Sequence, residues 1–161
     1  MKCKASQGFT LPEILITLAI VGILSQSAFY SWHQWQQQRR LAETSLHIQR
    51  FLYRLRAWAN WHNNEQVLWH QPGEYWCLGS GDKPATGCEA GRRRQLIALY
   101  PDVKITHVTR DMGFYGKRNV AKPGSIEFAN AAGRWRIIVS ARGRIRLCKP
   151  EREPCFERTG I

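Results

Sequence analysis

The stretch GFTLPEILITLAIVGIL, residues 8–24, decides how this chain is organised. From residue 11 onward it is apolar except for Glu13, Thr17 and the small Gly22. Extended to Trp32, such a run is about long enough to cross a bilayer as a helix. Pro12 and Glu13 are costly inside such a helix, because proline removes a backbone hydrogen bond and a carboxylate must be paired in lipid. Their position at the very start of the run therefore needs an explanation.

Three interpretations of this segment compete. The first is a plain transmembrane anchor. The second is a cleaved secretory signal, with Lys2 and Lys4 as its basic region and a cut near Ser27. The third is a leader that is cut before the apolar run and not after it.

A cut after Gly8 explains the residues best. Pro12 then becomes the fourth residue of the new chain and lies in the first helical turn, where N–H groups have no intrahelical partner. Glu13 becomes the fifth residue, and the new amino group of Phe9 on a neighbouring subunit can supply the compensating charge. The same cut removes Cys3, which leaves an even number of cysteines.

The sequence GFTLPE followed by an apolar run resembles the N-terminus of type IV pilins and type II secretion pseudopilins. The resemblance implies cleavage after Gly8 by a prepilin peptidase, N-methylation of Phe9 and a role for Glu13 in subunit assembly. It also implies other major and minor pilins and an inner-membrane assembly platform as partners. The expected location is the inner membrane, with one membrane pass and a periplasmic C-terminal domain, followed by incorporation into a pilus.

Apolar residues continue at helical spacing after the anchor, and no glycine or proline interrupts residues 23–60. The pattern predicts one helix from about residue 9 to residue 61, about 78 Å long at 1.5 Å per residue. Its second half is amphipathic and is expected to pack on a globular domain. The expected core positions are Leu41, Leu46 or Ile48, Phe51 and Leu52, Leu55, and Trp58 and Ala59.

From residue 66 the pattern changes to short strands between glycine- and proline-rich turns. Strands are predicted at 67–70, 75–78, 96–100, 103–108, 125–128, 135–139 and 145–148. The predicted fold is α+β, with a long N-terminal helix, transmembrane and then amphipathic, packed on a C-terminal domain of antiparallel β-sheets. The predicted organisation is a leader at 1–8, a transmembrane or filament-core helix at 9–32, its amphipathic continuation at 33–62, and a β-rich periplasmic domain at 63–161.

The four remaining cysteines allow three pairings, and an oxidising compartment is implied if they form disulfides. We expect local pairs, Cys77 with Cys88 and Cys148 with Cys155, because each closes a short, turn-rich loop. A zinc site is disfavoured, because neither spacing is a two-residue knuckle and no histidine pair accompanies them. No nucleophile motif, phosphate loop or metal signature is present, so neither catalysis nor a cofactor is predicted.

The formal net charge of +12 is unevenly distributed. Residues 92–161 contain sixteen basic and six acidic groups, whereas residues 9–91 contain six of each. The most basic stretch is GRWRIIVSARGRIRLC, residues 133–148, which is predicted to form two strands joined by a turn at 140–143. Alternation places Arg134 and Arg136 on one face of the first strand, and Arg144 and Arg146 on one face of the second.

This hairpin is predicted to bind a polyanion. Side chains two apart on a strand lie about 6.6–6.8 Å apart, close to the spacing of phosphates on an extended nucleic-acid strand. The predicted phosphate contacts are Arg144 and Arg146, with Arg134, Arg136, Arg142 and Lys149 in support. The alternative is an edge hairpin whose charges only prevent aggregation.

The hairpin is also similar to the end of the GspH/FimT class of minor pilins. There a Gly-Arg-x-Arg motif, here Gly143, Arg144, Ile145 and Arg146, is associated with DNA binding during natural transformation. The stretches WHQWQQQRRL, RLRAWANWHN, FYGKRN and CLGSGDKPATGC extend the resemblance along the chain.

Two functions therefore remain open. One is a minor pilin that binds DNA through its backbone phosphates with low sequence specificity. The other is a structural minor pilin or type II secretion pseudopilin that primes filament assembly without DNA contact. Convergence of the arginines on one exposed face favours the first, and pairing with Glu127, Glu151, Glu153 and Glu157 favours the second.

Overall fold

The computed structural model describes residues 10–85, 87–89, 91–116, 120–149 and 152–156, with the backbone alone at 24, 26–30 and 152–156. The predicted leader, residues 1–8, and the predicted first mature residue, Phe9, lie outside these residues. The chain divides into two units, Met1–Gln36 and Gln37–Ile161. One helix, α1 (Leu11–His62), runs through 52 residues and belongs to both units. The predicted long helix is thereby confirmed to within two residues at its start and one at its end.

The start of α1 accommodates proline and glutamate as expected. Pro12 is its second residue, and Glu13 lies in its first turn. The backbone N–H of Glu13 donates to the carbonyl oxygen of Thr10 at 3.1 Å. The helix ends at His62; the next residue, Asn63, has a φ of 49°, and the N–H of Asn64 donates to the carbonyl oxygen of Ala59 at 3.2 Å. Asparagine tolerates this left-handed conformation, and this explains why the helix stops there.

In the first unit, α1 exposes large apolar side chains on all sides. Ile14 is 48% exposed, Leu15 59% and Ile16 61%. Because these consecutive apolar residues are all exposed, this part of the helix has no separate polar and apolar faces. Within the described part of the chain, no helix combines the length and the apolar character needed to cross a bilayer. Apolar surfaces of this extent are typical of segments that contact other proteins or a membrane.

In the second unit, one face of α1 enters the core. The fully buried side chains include Ile48, Phe51 and Leu55, as the helical spacing predicts, and Ile48 takes the core position for which Leu46 was the alternative. Ala59 is buried and Trp58 is only half-buried.

Two five-stranded antiparallel sheets complete the second unit. The first has the order β3-β2-β1-β5-β6 and the second the order β10-β9-β8-β7-β4. The strands of the first sheet are β1 (Gln66–Gln71), β2 (Cys77–Ser80), β3 (Gln95–Ile97), β5 (Gly113–Tyr115) and β6 (Val120–Lys122). Those of the second are β4 (Lys104–Val108), β7 (Gly124–Asn130), β8 (Gly133–Val139), β9 (Ile145–Lys149) and β10 (Arg152–Phe156).

Both sheets and the helix share one core. Leu68 and Leu78 come from the first sheet, and Ile126 and Ile137 from the second, and all join the cluster around Phe51. This arrangement explains the alternation of buried and half-buried residues in β7 and β8, because only one face of that sheet is covered.

The seven predicted strands correspond to real strands, but two predicted boundaries were wrong. The strand predicted at 75–78 lies at Cys77–Ser80, and the one predicted at 96–100 is the three-residue Gln95–Ile97. The prediction also missed β5, β6 and β10. Three-residue strands are too short to show a period of two, and Pro154 in β10 is atypical of strand interiors.

Gly113 shows why β5 forms where it does. A side chain at this position would collide with the backbone of Gln66 and Val67 in the neighbouring strand β1. Glycine therefore permits a close backbone approach that adds β5 and β6 to the sheet.

Candidate nucleic-acid interface

The basic hairpin consists of β8 and β9, as predicted. Its register pairs Ile137 with Leu147 and Val139 with Ile145. Ile137, Val139 and Ile145 are buried, so this face of the hairpin points into the core. Since side chains alternate along a strand, Arg134, Arg136 and Arg146 share the opposite face, and Arg144 lies exposed just before β9.

The pairing brings the arginines of both strands together. Arg136 pairs with Cys148 and Ile138 pairs with Arg146, so Arg136 and Arg146 are diagonal neighbours across the two strands. Diagonal neighbours are typically about 7–8 Å apart, which is within reach of one extended polyanion. Arg144 is exposed and Arg146 is half-buried.

Among the residues whose side chains the structure describes, Glu127 of β7 is the carboxylate at this surface, and Glu151, Glu153 and Glu157 lie outside that set. It pairs with Arg136 in the register of β7 and β8. Its Oε1 lies 2.6 Å from Nη2 of Arg136, and its Oε2 lies 4.0 Å from Nη1 of Arg134. The Glu127 side chain is 14% exposed, whereas those of Arg134 and Arg136 are 65% and 51% exposed. Two of the predicted phosphate contacts are therefore partly neutralised by an internal carboxylate.

The turn between the strands has a defined geometry. The N–H of Gly143 donates to the carbonyl oxygen of Ser140 at 2.8 Å, and the N–H of Ser140 donates to the carbonyl oxygen of Arg144 at 2.9 Å. The N–H of Arg144 donates to the Ser140 hydroxyl at 3.1 Å. Gly143 has a φ of 70°, which explains why glycine opens the Gly-Arg-x-Arg motif. Arg142 lies exposed within the turn.

Two contacts from other elements hold this turn. Nη1 of Arg56 in α1 donates to the carbonyl oxygen of Gly143 at 3.1 Å. The N–H of Ala121 in β6 donates to the carbonyl oxygen of Ala141 at 2.9 Å. The sequence did not predict this role of Arg56, because an arginine on an amphipathic helix gives no indication of a hydrogen-bond partner 87 residues away.

The open end of the hairpin carries Trp135 and Lys149. Nζ of Lys149 lies 4.2 Å from the centroid of the Trp135 ring, a cation–π contact. The same ring meets Phe128 edge-on, with centroids 6.5 Å apart. Trp135 is partly buried against the core and lies on the face opposite the arginines. This position confirms that Trp135 is a packing residue. Lys149 lies near the edge of the same face as Trp135, opposite the arginines.

The remaining predicted site residues are dispersed. Cys77 and Cys88 form the expected disulfide, with Cα atoms 6.2 Å apart. Cys148 is also disulfide-bonded, and its expected partner Cys155 lies in β10, where the structure describes only the backbone. Glu13 is exposed in the first unit.

The charge and spacing of this hairpin are of a kind that suits an extended polyanion. The segment 133–149 contains six basic residues and no acidic one. Arginine side chains can hold a phosphate with two parallel hydrogen bonds, and a row of them along a strand provides repeated contacts. Backbone contacts of this kind carry no sequence information.

Comparison with known proteins adds one finding. Residues 3–25 match the family model described as the prokaryotic N-terminal methylation motif. No curated protein and no solved structure matches the chain. The match includes the first part of α1 and does not reach the two sheets. It supports a type IV pilin-like, pilus-related protein, the kind of substrate that prepilin peptidase processes and that assembles with other pilins.

Proposed function

We propose that this chain is a non-catalytic minor pilin of the GspH/FimT class that binds DNA during natural transformation. Prepilin peptidase cuts it after Gly8, Phe9 is methylated, and Glu13 directs assembly with other pilins. Before assembly, the segment 9–32 resides in the inner membrane as a single pass, with 33–161 in the periplasm. The methylation-motif match and the exposed apolar side chains of residues 11–23 support this part of the proposal.

The observation that carries DNA binding is the common outward face of the hairpin arginines. Arg144 and Arg146 lead the phosphate contacts, because they are the two arginines of the Gly-Arg-x-Arg motif and follow directly on the turn at Gly143. Arg142 extends the surface at the turn, and Lys149 adds charge at the open end. Because Arg134 and Arg136 both form ion pairs with Glu127, these two arginines only support the phosphate contacts.

A salt titration of duplex DNA binding tests this proposal. Full-length mature protein in mild detergent is compared with Arg144→Gln/Arg146→Gln, after both are shown to be folded. The double variant should lose affinity and about two units of the slope of log K against log salt, because each phosphate contact contributes about 0.9. Arg50→Gln/Arg110→Gln, which removes two exposed charges elsewhere, is the matched control.

Equal losses in the two double variants would show that net charge alone attracts DNA, and the hairpin assignment would then be abandoned. The processing steps are tested separately by mass spectrometry of the mature N-terminus, which should begin at methylated Phe9. A disulfide between Cys148 and Cys155 is part of the proposal and is checked by peptide mapping without reduction.

The second candidate is a structural minor pilin or type II secretion pseudopilin without DNA contact. The observation in its favour is Glu127, which forms ion pairs with two of the hairpin arginines and so competes with phosphate for them. Absence of DNA binding near physiological salt, together with normal incorporation into filaments, would select this function.

A further inference from the structure

A second basic surface lies at the C-terminal end of α1. The loop Arg92–Arg94 faces this end of the helix and encloses a groove of about 680 Å³ lined by Arg54, Trp58 and Trp61, among other residues. A second cavity of about 440 Å³ shares Trp58, Arg93 and Arg94 with the first. The two cavities therefore form one continuous surface, called here the tryptophan–arginine groove.

The groove presents aromatic rings to solvent. Trp61 is 86% exposed, which is unusual for the largest apolar side chain. Trp58, one helical turn earlier, stacks on His62 with ring centroids 4.0 Å apart and an interplanar angle of 21°. Residues three apart on a helix are surface neighbours, so the two indoles line the same side of the groove.

Cations surround these rings. Arg54 lies one turn before Trp58 on α1, and Arg93 and Arg94 are exposed on the facing loop. Arg92 is paired with Glu89, with Nε and Oε2 2.6 Å apart. Among the residues that the structure describes, Arg54, Arg93 and Arg94 form no ion pair. Asp82 is the carboxylate in the described lining of the two cavities.

This surface is separate from the hairpin. Arg56, which binds the hairpin turn, lies two residues from both Arg54 and Trp58. At about 100° per residue, Arg56 points roughly 200° around the helix from each of them. The groove and the hairpin therefore occupy different faces of α1.

We propose that the tryptophan–arginine groove binds single-stranded nucleic acid. An unpaired base stacks on Trp61, Trp58 forms the apolar wall beside it, and the neighbouring phosphates contact Arg93, Arg94 and Arg54. Flat apolar rings next to unpaired guanidinium groups match the alternation of bases and phosphates along a single strand. A duplex keeps its bases stacked inside and offers this groove only phosphates. A peptide of acidic residues alone would satisfy the arginines and leave the exposed indoles without a matching group.

The test uses the full-length protein in mild detergent and an oligothymidine of about 12 nucleotides, followed by anisotropy and tryptophan fluorescence. An abasic oligomer of the same length and an oligoglutamate of the same charge are the comparison ligands. Trp61→Ala should weaken oligothymidine binding about tenfold, because loss of one stacked base is worth about 1–3 kcal/mol. Trp32→Ala, which removes another exposed indole, should leave it unchanged.

The arginines are tested by Arg93→Gln/Arg94→Gln, which should lower the salt slope for oligothymidine by about 1.4 units. Equal affinity for the abasic oligomer or for oligoglutamate would overturn the proposal, as would Trp61→Ala that behaves like Trp32→Ala. Arg144→Gln/Arg146→Gln separates the two proposals, because it should reduce duplex binding and leave the Trp61-dependent stacking unchanged.

Discussion

Arg56 in α1 donates a hydrogen bond from Nη1 to the carbonyl oxygen of Gly143, at 3.1 Å, and so connects the helix to the turn of the basic hairpin. Gly143 is buried and Arg56 is half-buried, so the bond is partly shielded from water. A charged donor shielded in this way contributes more than a neutral surface pair. The position of the hairpin is therefore determined by the helix as well as by its own sheet.

Replacing Arg56 should destabilise the protein. Arg56→Met keeps most of the aliphatic stem and removes the donor, which should lower the free energy of unfolding by about 1–3 kcal/mol. Chemical denaturation measures this loss. Arg54→Met, at an exposed position on the same helix, should change stability by less than about 0.5 kcal/mol. Equal effects of the two variants would show that the Arg56–Gly143 bond does not stabilise the fold.

Glu127 should restrain DNA binding by the hairpin. Glu127→Gln removes the carboxylate that lies 2.6 Å from Arg136 and makes that guanidinium available to phosphate. Duplex affinity should rise, and the salt slope should steepen by about 0.9 units for the additional contact. Glu65→Gln is the control, since it removes one exposed negative charge outside the sheet. Identical slopes in both variants would argue that Arg136 does not reach phosphate.

His70 should make the fold less stable in mild acid. Burial of the ring, and secondarily the positive charge of Lys83, lower the pKa of His70 from its ordinary value of 6.5. The unfolded chain therefore binds a proton more readily than the folded one, so stability falls as the pH drops below about 6.5. His70→Gln should flatten this fall between about pH 8 and pH 5 in unfolding experiments.

The matched control for His70 is His107→Gln, at an exposed position. His107→Gln retains the ring of His70 and should therefore keep the decline of stability in mild acid. An unchanged pH profile in His70→Gln would contradict the assignment of that decline to His70.

The disulfide between Cys77 and Cys88 should contribute substantially to stability. It joins the start of β2 to the loop that leads to Arg92–Arg94 and closes a sequence separation of 11 residues. A loop of this length predicts a loss of about 3 kcal/mol when the bond is removed. Cys77→Ala/Cys88→Ala, compared with the wild type by denaturant unfolding without reductant, measures it. A variant as stable as the wild type would show that the loop is ordered without the bond.

Local sequence patterns predicted several features of the fold. Helical spacing identified Ile48, Phe51 and Leu55 as core residues, and alternation in the hairpin separated Ile137 and Val139 from the arginines. These features depend on periods of about 3.6 and 2 residues, which are properties of a short segment of chain. The Cys77–Cys88 pair could also be predicted, because its loop is short.

The partners of the charged side chains could not be predicted in the same way. Sequence alternation places Arg134 and Arg136 on one face, but only the strand order brings Glu127 beside them. Tyr100 likewise donates to Glu43 of α1, which lowers the pKa of Glu43 and raises that of Tyr100. Such contacts join distant segments, and no local period signals them.

The sequence by itself determined the leader motif, the long helix, the antiparallel β-rich domain and the concentration of charge in the hairpin. The tertiary structure decided which hairpin arginines pair with Glu127, how Arg56 holds the turn at Gly143, and that Trp61 and Arg93 line one groove. The physical reason is the range of the interactions. Periodicity and turn propensity act over a few residues, whereas ion pairs and grooves depend on packing between segments that only the folded chain brings together.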